Sequence, residues 1–260
     1  MNRKMVDVGL KAVNAASIII KEYFRKDRDS YKDKDAKSAI VTAADIEAES
    51  VMRSIILEYY PDHSIQGEEL DLKLGSSEYT WILDPIDGTS NFVMGKPIFG
   101  TLLALYKNKQ PLFGIIHQPI LNETFLGVIG ENALFNNKIL KTANTNSVKA
   151  AFLATNPIYM FESKYEKSVL WDLQNVVRAV EFGGDCYNYA MLALGHIDIV
   201  LTSGDDLHDF AAIIPIVKSS GGIITDWTGN ELSIYSSGHI LATCNSNLHE
   251  TVLNRLKNLN

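Results

Sequence analysis

One segment of the chain, Trp81–Phe92, restricts the local fold more than any other part of the sequence. It begins with an apolar run typical of a buried strand and reaches Asp84, after which Pro85 forbids a helix. Asp87 follows, and Gly88 lacks the side chain that would keep a ligand away from the backbone. The segment therefore predicts a rigid corner that projects two carboxylates beside a turn.

Acidic residues elsewhere in the chain extend this interpretation. Glu68 and Glu69 follow Gly67 upstream, and Asp209 stands at a predicted helix start far downstream. Hard divalent cations such as Mg2+ bind oxygen ligands in near-octahedral geometry, and free backbone N–H groups at a helix start attract phosphate oxygens. Taken alone, these carboxylates could equally be solvated, or Asp209 and Asp45 could be charges favoured by a helix dipole. The residue pattern alone leaves both interpretations open.

Composition limits the class of protein. With 260 residues, 46% of them hydrophobic, the chain can bury a core as one large domain or two small ones. The net charge of -7 and the lack of a long Lys/Arg block argue against nucleic acid and anionic membrane as partners. Cys186 and Cys244 do not resemble a disulfide framework, and no apolar run reaches the ~18 residues of a membrane span. We therefore expect a cytoplasmic protein.

The first sixty residues predict two helices. Apolar residues between Met5 and Phe24 recur at steps of three and four, as on one face of a helix. The polar segment Lys26–Lys37 predicts a mobile loop that could close over a site. Thr42 can cap a second helix, which stops at Pro61.

The remaining sequence changes pattern near its middle. Residues 64–129 read as strands joined by turns, whereas strands and helices alternate after residue 150, including a helix predicted over residues 207–219. This predicts two halves: residues 1–145 with a helix pair and an antiparallel sheet that carries most of the proposed metal ligands, and residues 146–260 with a second α/β unit. Ligands favour clefts between such halves, so Asp209 would cross to meet Asp84.

Several separated motifs together resemble the inositol monophosphatase superfamily, over nearly the whole chain. In chain order they are Val41–Asp45, Gly67–Glu69, Asp84–Thr89, Asp209–Ala212 and Ser220–Gly222. The resemblance implies a layered αβαβα fold of the α/β (α+β) class, the sugar-phosphatase type. It also implies hydrolysis of a small-molecule phosphomonoester, inhibition by lithium and a homodimer.

The resemblance assigns a metal site to the acidic residues. It implies two or three Mg2+ ions, which Mn2+ can replace, one activating water and another stabilising the leaving oxygen. The implied metal ligands are the carboxylates of Glu68, Asp84, Asp87 and Asp209 and the carbonyl oxygen of Ile86.

The resemblance also assigns the residues that act on water and phosphate. Asp45 and Thr89 match the pair that orients or deprotonates the attacking water, and Glu69 supports them from farther out. Phosphate would rest on the backbone N–H groups of Gly88, Thr89 and Ser90. His208, beside Asp209, is not needed for this chemistry.

Within the superfamily the chain looks most like the histidinol-phosphatase branch, because of Gly183–Tyr187 and the residues after Asp209. Histidinol phosphate has a cationic end, and Asp185 at a predicted helix start could accept it, with Thr202 and Asp205 as further substrate contacts. Thr202 departs from the Glu that many members place there. Asp205 and Asp206 could substitute for that acid or form a solvated loop.

Other substrates stay open on this sequence. The stretch Ser90–Val93 looks more like the inositol phosphatase form, which makes inositol monophosphate the next candidate. The family also hydrolyses 3'(2'),5'-bisphosphates such as adenosine bisphosphate, fructose 1,6-bisphosphate and the phosphate of NADP. A binding-only regulatory protein is an alternative of another class, but its expected sign is a lost metal ligand, and none is lost here.

Overall fold

The computed structural model describes residues 3–26, 31–32 and 41–259. Its first two helices form a pair. Helix α1 (Arg3–Tyr23) buries the apolar face that its periodicity predicts. The two-residue strands β1 (Tyr31–Lys32) and β2 (Val41–Thr42) pair antiparallel, and α2 (Ala43–Tyr59) then packs against α1. Apart from Lys26 and β1, the predicted loop Lys26–Lys37 lies outside the described residues.

A seven-stranded sheet follows, in which the spatial order of the strands is their order in the chain. Its first two strands are parallel and the others pair antiparallel. A short helix, α3 (Thr89–Val93), leaves the sheet after its second strand. The strands are β3 (Ser64–Gly67), β4 (Tyr79–Asp87), β5 (Gly100–Lys107), β6 (Gln110–Gln118), β7 (Glu123–Val128), β8 (Leu134–Phe135) and β9 (Lys138–Ile139).

Strand β4 is longer than the sequence predicts. It continues through Asp84 and Pro85 to Asp87, and its register against β5 shifts between the two aspartates. A bulge of this kind tolerates proline, which has no N–H for the ladder, and bends the strand. The carbonyl of Pro85 is held by the hydroxyl of Thr101, which donates to it at 2.8 Å. The two aspartates are therefore fixed to the sheet itself.

A five-stranded mixed sheet forms from the second half of the chain, in the spatial order β11-β10-β12-β14-β13. Strand β10 runs parallel to β11 and β12, whereas β14 is antiparallel to β12 and β13. The elements are β10 (Phe152–Thr155), α4 (Lys164–Gln174), β11 (Ala179–Phe182), α5 (Asp185–Ala193), β12 (Ile199–Thr202), α6 (Leu207–Ala211), α7 (Ile213–Ser220), β13 (Ile223–Asp226), β14 (Ile240–Thr243) and α8 (Ser246–Lys257).

The elements stack in five layers. Helices α1 and α2 share an apolar core with one face of the larger sheet, α5 to α7 lie between the two sheets, and α4 and α8 cover the outer face of the smaller sheet. This is the αβαβα layering that the resemblance to the family implies. No helix in the described part of the chain is long and apolar enough to span a membrane. The division into residues 1–145 and 146–260 stays a prediction.

The helix predicted over residues 207–219 is divided at Ala212 into α6 and α7. Pro215 explains the division, because it has no N–H to donate to the carbonyl of Ala211 and its ring crowds that position. That carbonyl instead accepts a hydrogen bond from the hydroxyl of Tyr106 at 3.3 Å. The backbone of Ala212 lies so close to β6 that a Cβ at Gly114 would come within 2.0 Å of its carbonyl oxygen. Asp209 is thus anchored to the larger sheet.

Candidate active site

Three carboxylates from two parts of the fold meet at the bulged end of β4. One oxygen from each of Asp84, Asp87 and Asp209 lies within 4.8 Å of the others. Asp209 is held in orientation because its Oδ2 accepts the backbone N–H of Asp206 at 2.6 Å, in a capping box at the start of α6. The structure therefore brings Asp209 across to Asp84, as the sequence predicts.

Burial and mutual repulsion disfavour the charged forms of these groups. Burial, followed by the charges of Glu68, Asp87 and Asp209, raises the pKa of Asp84 well above its usual value. The pKa of Asp87 is likewise raised well above normal by burial and then by Asp185 and Asp209. A nearby cation would relieve both effects.

The donor set fits a hard divalent cation. Asp84 Oδ1 is buried, and no described residue donates a hydrogen bond to it. A buried acceptor without a donor is uncommon, and all the oxygen donors of the cluster are of the type that Mg2+ binds.

Glu68 and Ile86, the two other predicted ligands, border the cluster. Glu68 Oε1 lies 4.0 Å from His208 Nε2, whose ring is 3.5 Å from Asp209 Oδ1. Burial raises the pKa of Glu68, and His208 opposes that effect. The carbonyl of Ile86 accepts a hydrogen bond from Thr89 Oγ1 at 3.0 Å. His208 therefore connects two of the predicted metal ligands without belonging to the carboxylate group.

A cleft of about 600 Å³, called here the outer cleft, opens in front of this cluster. Gly88, Thr89 and Ser90 line it where α3 begins, and Gly88 is the N-cap residue with a φ of 88°. The first N–H groups of a helix have no partner within the helix, so they are available to an anion. A Cβ at Gly88 would lie 2.4 Å from Asp185 Oδ2, which explains why this position needs glycine.

Two hydrogen bonds join the start of α5 to the end of β4 and to α3. Asn91 Nδ2 donates to Asp185 Oδ2 at 2.8 Å, and the backbone N–H of Cys186 donates to Asp87 Oδ2 at 2.5 Å. Burial raises the pKa of Asp185, and the hydrogen bond from Asn91 opposes that rise. Asp185 thus lies beside both the carboxylate cluster and the outer cleft.

A smaller cavity of about 140 Å³, the inner cavity, adjoins Asp87 and Asp209 of the carboxylate cluster. Thr202 and Asp205 line it together with Asp185, whereas Asp206 is exposed outside it. The pKa of Asp205 is raised to about 8, first by burial and then by the charge of Asp209. The predicted substrate contacts therefore come together, but in the inner cavity.

Two predicted catalytic residues are not among the described residues that line either cavity. Asp45 is fully buried in the first turn of α2, and Glu69 is half-buried after β3. Their roles stay predictions, as do those of Thr89 and of the proposed metal ligands.

Sequence reasoning missed the residues that hold the site together. Glu49 is fully buried and accepts hydrogen bonds from Arg53 Nε at 2.7 Å and from the backbone N–H of Glu69 at 2.8 Å. Glu49 and Arg53 are four residues apart on a predicted helix, and that spacing of opposite charges is a recognisable signal for an ion pair. Asn91 and Asn156, which lines the inner cavity, lack such a signal because their partners come from distant elements.

Comparison with known proteins agrees with this fold. The profile of the inositol monophosphatase family matches residues 1–260. The bifunctional phosphatase IMPL2, chloroplastic, of Arabidopsis thaliana is 39% identical over 96% of this chain and 74% of its own length. A histidinol-phosphatase of Chlorobaculum parvum is 30% identical over 78% of each chain.

A solved structure of an inositol monophosphatase from Zymomonas mobilis superposes with a TM-score of 0.87 at 34% identity, covering 98% of each chain. The relatives' names differ in substrate, whereas the family and fold agree throughout. The chain therefore belongs to the inositol monophosphatase family.

Proposed function

We propose that this protein is a Mg2+-dependent phosphatase that hydrolyses histidinol phosphate to histidinol and phosphate. Members of its family hydrolyse phosphomonoesters, so the proposal adds the ion and the ester. The observation that carries the choice of ester is the position of Asp185, a carboxylate fixed by Asn91 at the edge of the outer cleft.

The metal site of the proposal consists of the oxygen donors described above. Asp84, Asp87 and Asp209 would hold the ions, with Glu68 and the carbonyl of Ile86 completing the set. When bound, Mg2+ supplies a Lewis acid that lowers the pKa of water and neutralises charge on the transferred phosphoryl group. Mn2+ has a similar preference for oxygen ligands and should replace it.

The protein's own residues then position the ester and the water. The phosphate lies at the start of α3, where the backbone N–H groups of Gly88, Thr89 and Ser90 donate to its oxygens. Thr89, whose hydroxyl donates to the carbonyl of Ile86, keeps its oxygen lone pairs available to accept a hydrogen bond from the attacking water and so to orient it. Asp45 would be the carboxylate that acts with Thr89 to orient the water and take up its proton, and Glu69 would support both residues from farther out.

Asp185 recognises the end of the ester that carries no phosphate. Histidinol bears an amine and an imidazole, so that end is cationic or readily protonated, and a carboxylate binds it by charge-assisted hydrogen bonds. A neutral polyol has no charge for Asp185 to pair with. The 30% identity to a histidinol-phosphatase supports the same choice.

Phosphate release from a panel of esters tests this choice. Mg2+-loaded enzyme should show its highest kcat/KM with histidinol phosphate, followed by inositol 1-phosphate, then fructose 1,6-bisphosphate, adenosine 3',5'-bisphosphate and NADP. Asp185→Asn should raise the KM for histidinol phosphate by about tenfold to a hundredfold relative to glycerol phosphate, because a charge-assisted hydrogen bond is lost. Asp172→Asn, in the ion pair with Arg255 on α8, is the matched control.

Two results would reject parts of the proposal separately. Outright preference for inositol 1-phosphate, which the sequence Ser90–Val93 and the similarity to the Zymomonas mobilis enzyme favour, would reject histidinol phosphate and leave the phosphatase. Equal losses on both esters in Asp185→Asn would make Asp185 a structural residue at the start of α5. The same proposal includes a cytoplasmic location, a homodimer and inhibition by lithium. Sedimentation tests the homodimer, and a lithium titration of activity tests the inhibition.

A further inference from the structure

Every charged residue among the described residues that line the inner cavity is acidic. Asp87 and Asp209 border it on the side of the carboxylate cluster, and Asp185 and Asp205 border it elsewhere. No Lys, Arg or His is among the described residues that line it. Such a cavity favours a ligand group that is positively charged and donates hydrogen bonds.

A directed chain of hydroxyl groups holds Asp205. Thr202 Oγ1 donates to Asp205 Oδ2, and the hydroxyl of Tyr189 lies 2.8 Å from Thr202 Oγ1. A threonine hydroxyl has one proton, so Tyr189 must be the donor to Thr202. Tyr189 and Thr202 are both buried, and the chain ends on the carboxylate of Asp205. The remaining lone pairs of the Asp205 carboxylate are therefore available to a ligand.

Asn156 supplies an independent second acceptor. It is 4% exposed, and its Nδ2 donates to the carbonyl of Ser203 at 2.7 Å, which fixes the orientation of the amide. Its Oδ1 is buried, and no described residue donates to it. Because buried side-chain acceptors nearly always have a partner, Asn156 Oδ1 has an unused capacity to accept an N–H group of a ligand in the inner cavity.

We propose that the inner cavity binds the protonated, nitrogen-bearing end of the substrate, with Asp205, ionised once that cation is bound, as its charged acceptor and Asn156 Oδ1 as a second acceptor. This deepens the proposed function and rests on it for the position of the phosphate. Asp205 is accordingly a specificity-determining residue, separate from Asp185, which contacts the substrate from the edge of the outer cleft.

A pair of matched esters tests the proposal without histidinol phosphate. 4-Aminobutyl phosphate and 4-hydroxybutyl phosphate have nearly the same length. The first ends in an ammonium group and the second in a hydroxyl group. Mg2+-loaded wild-type enzyme should prefer the amine ester in kcat/KM by about tenfold or more, the effect of one charge-assisted hydrogen bond. Asp205→Asn should abolish most of this preference, and the control Asp172→Asn should retain it.

Calorimetry gives a readout that needs no turnover. Histidinol should bind Mg2+-loaded wild-type enzyme, and Asp205→Asn should weaken that binding by about tenfold to a hundredfold. If Asp205→Asn does not fold, Asp205→Ala removes the carboxylate without adding bulk and is measured in the same way.

Three results would overturn the proposal: no preference in wild type, an unchanged preference in Asp205→Asn, or equal losses on both esters. The last would mean that Asp205 acts on the metal centre through Asp209. Failure of the proposed function looks different, because an enzyme that prefers the amine ester through Asp205 but hydrolyses histidinol phosphate poorly would reject only the choice of ester.

Discussion

The ion pair between Glu49 and Arg53 should contribute to both the stability of the fold and the affinity for metal. Glu49 has no exposed side-chain surface, and that of Arg53 is 12% exposed. Arg53 also donates to the carbonyls of Leu70 and Asp71, at 2.8 and 3.0 Å. The pair therefore ties α2 to the loop that carries Glu68.

Arg53→Met keeps most of the volume and removes the charge, so Glu49 becomes a buried carboxylate without a counter-ion. Removing one partner of a buried pair costs about 3–5 kcal/mol of unfolding free energy. Because the loop also loses two hydrogen bonds beside Glu68, Mg2+ affinity should fall by about tenfold, the low end of the effect of outer-shell mutations.

Urea unfolding and Mg2+ calorimetry measure the two effects. Arg255→Met is the matched control, because its carboxylate partner Asp172 is also bound through two hydrogen bonds but the side chains are 36% and 25% exposed. An exposed pair contributes about 0–1 kcal/mol. The reasoning would be refuted if Arg53→Met cost no more than Arg255→Met, or if it left Mg2+ affinity unchanged.

Three further predictions concern the site itself. Asp87→Asn should fold but lose turnover by several orders of magnitude, since it keeps the shape and removes a charge that the metals need; phosphate release in excess Mg2+ measures this. Asp45→Asn should lower kcat with little change in KM, and full activity would reduce Asp45 to a helix-start charge. Enzyme whose metals have been chelated should lose free energy of unfolding between pH 6 and pH 8.5. The pKa of Asp205 is about 8 in the folded state and near 3.9 in the unfolded state, so the folded state binds the extra proton and loses that advantage as pH rises. Urea midpoints that rise over that interval would contradict it.

The sequence predicted the elements whose apolar pattern is regular. The periodicity of α1 and the apolar run of β4 were sufficient, because α1 buries one continuous apolar face and consecutive residues of β4 are buried on both faces of the sheet. The division between α6 and α7 could have been found from Pro215, whose missing N–H interrupts a helix. Strand β14 and helix α8 were missed, since no distinctive motif marks either one.

The candidate site was predictable only as far as residue types show their chemistry. Asp84, Asp87 and Asp209 stood out as acidic residues beside a turn or a helix start, but only the resemblance to the family made them predicted metal ligands; the structure brings their oxygens together. Asn156 and Tyr189 were not, because their polar groups become ligand acceptors or anchors only through burial and distant partners. Such contacts depend on tertiary packing, which a local pattern does not encode.

Metal-dependent turnover tests the central claim most directly. Enzyme stripped with excess chelator should release no phosphate from histidinol phosphate, and added Mg2+ should restore full activity, because the carboxylate cluster cannot accept a phosphate dianion without cations. Full activity in the stripped enzyme would contradict the metal assignment and the mechanism built on it.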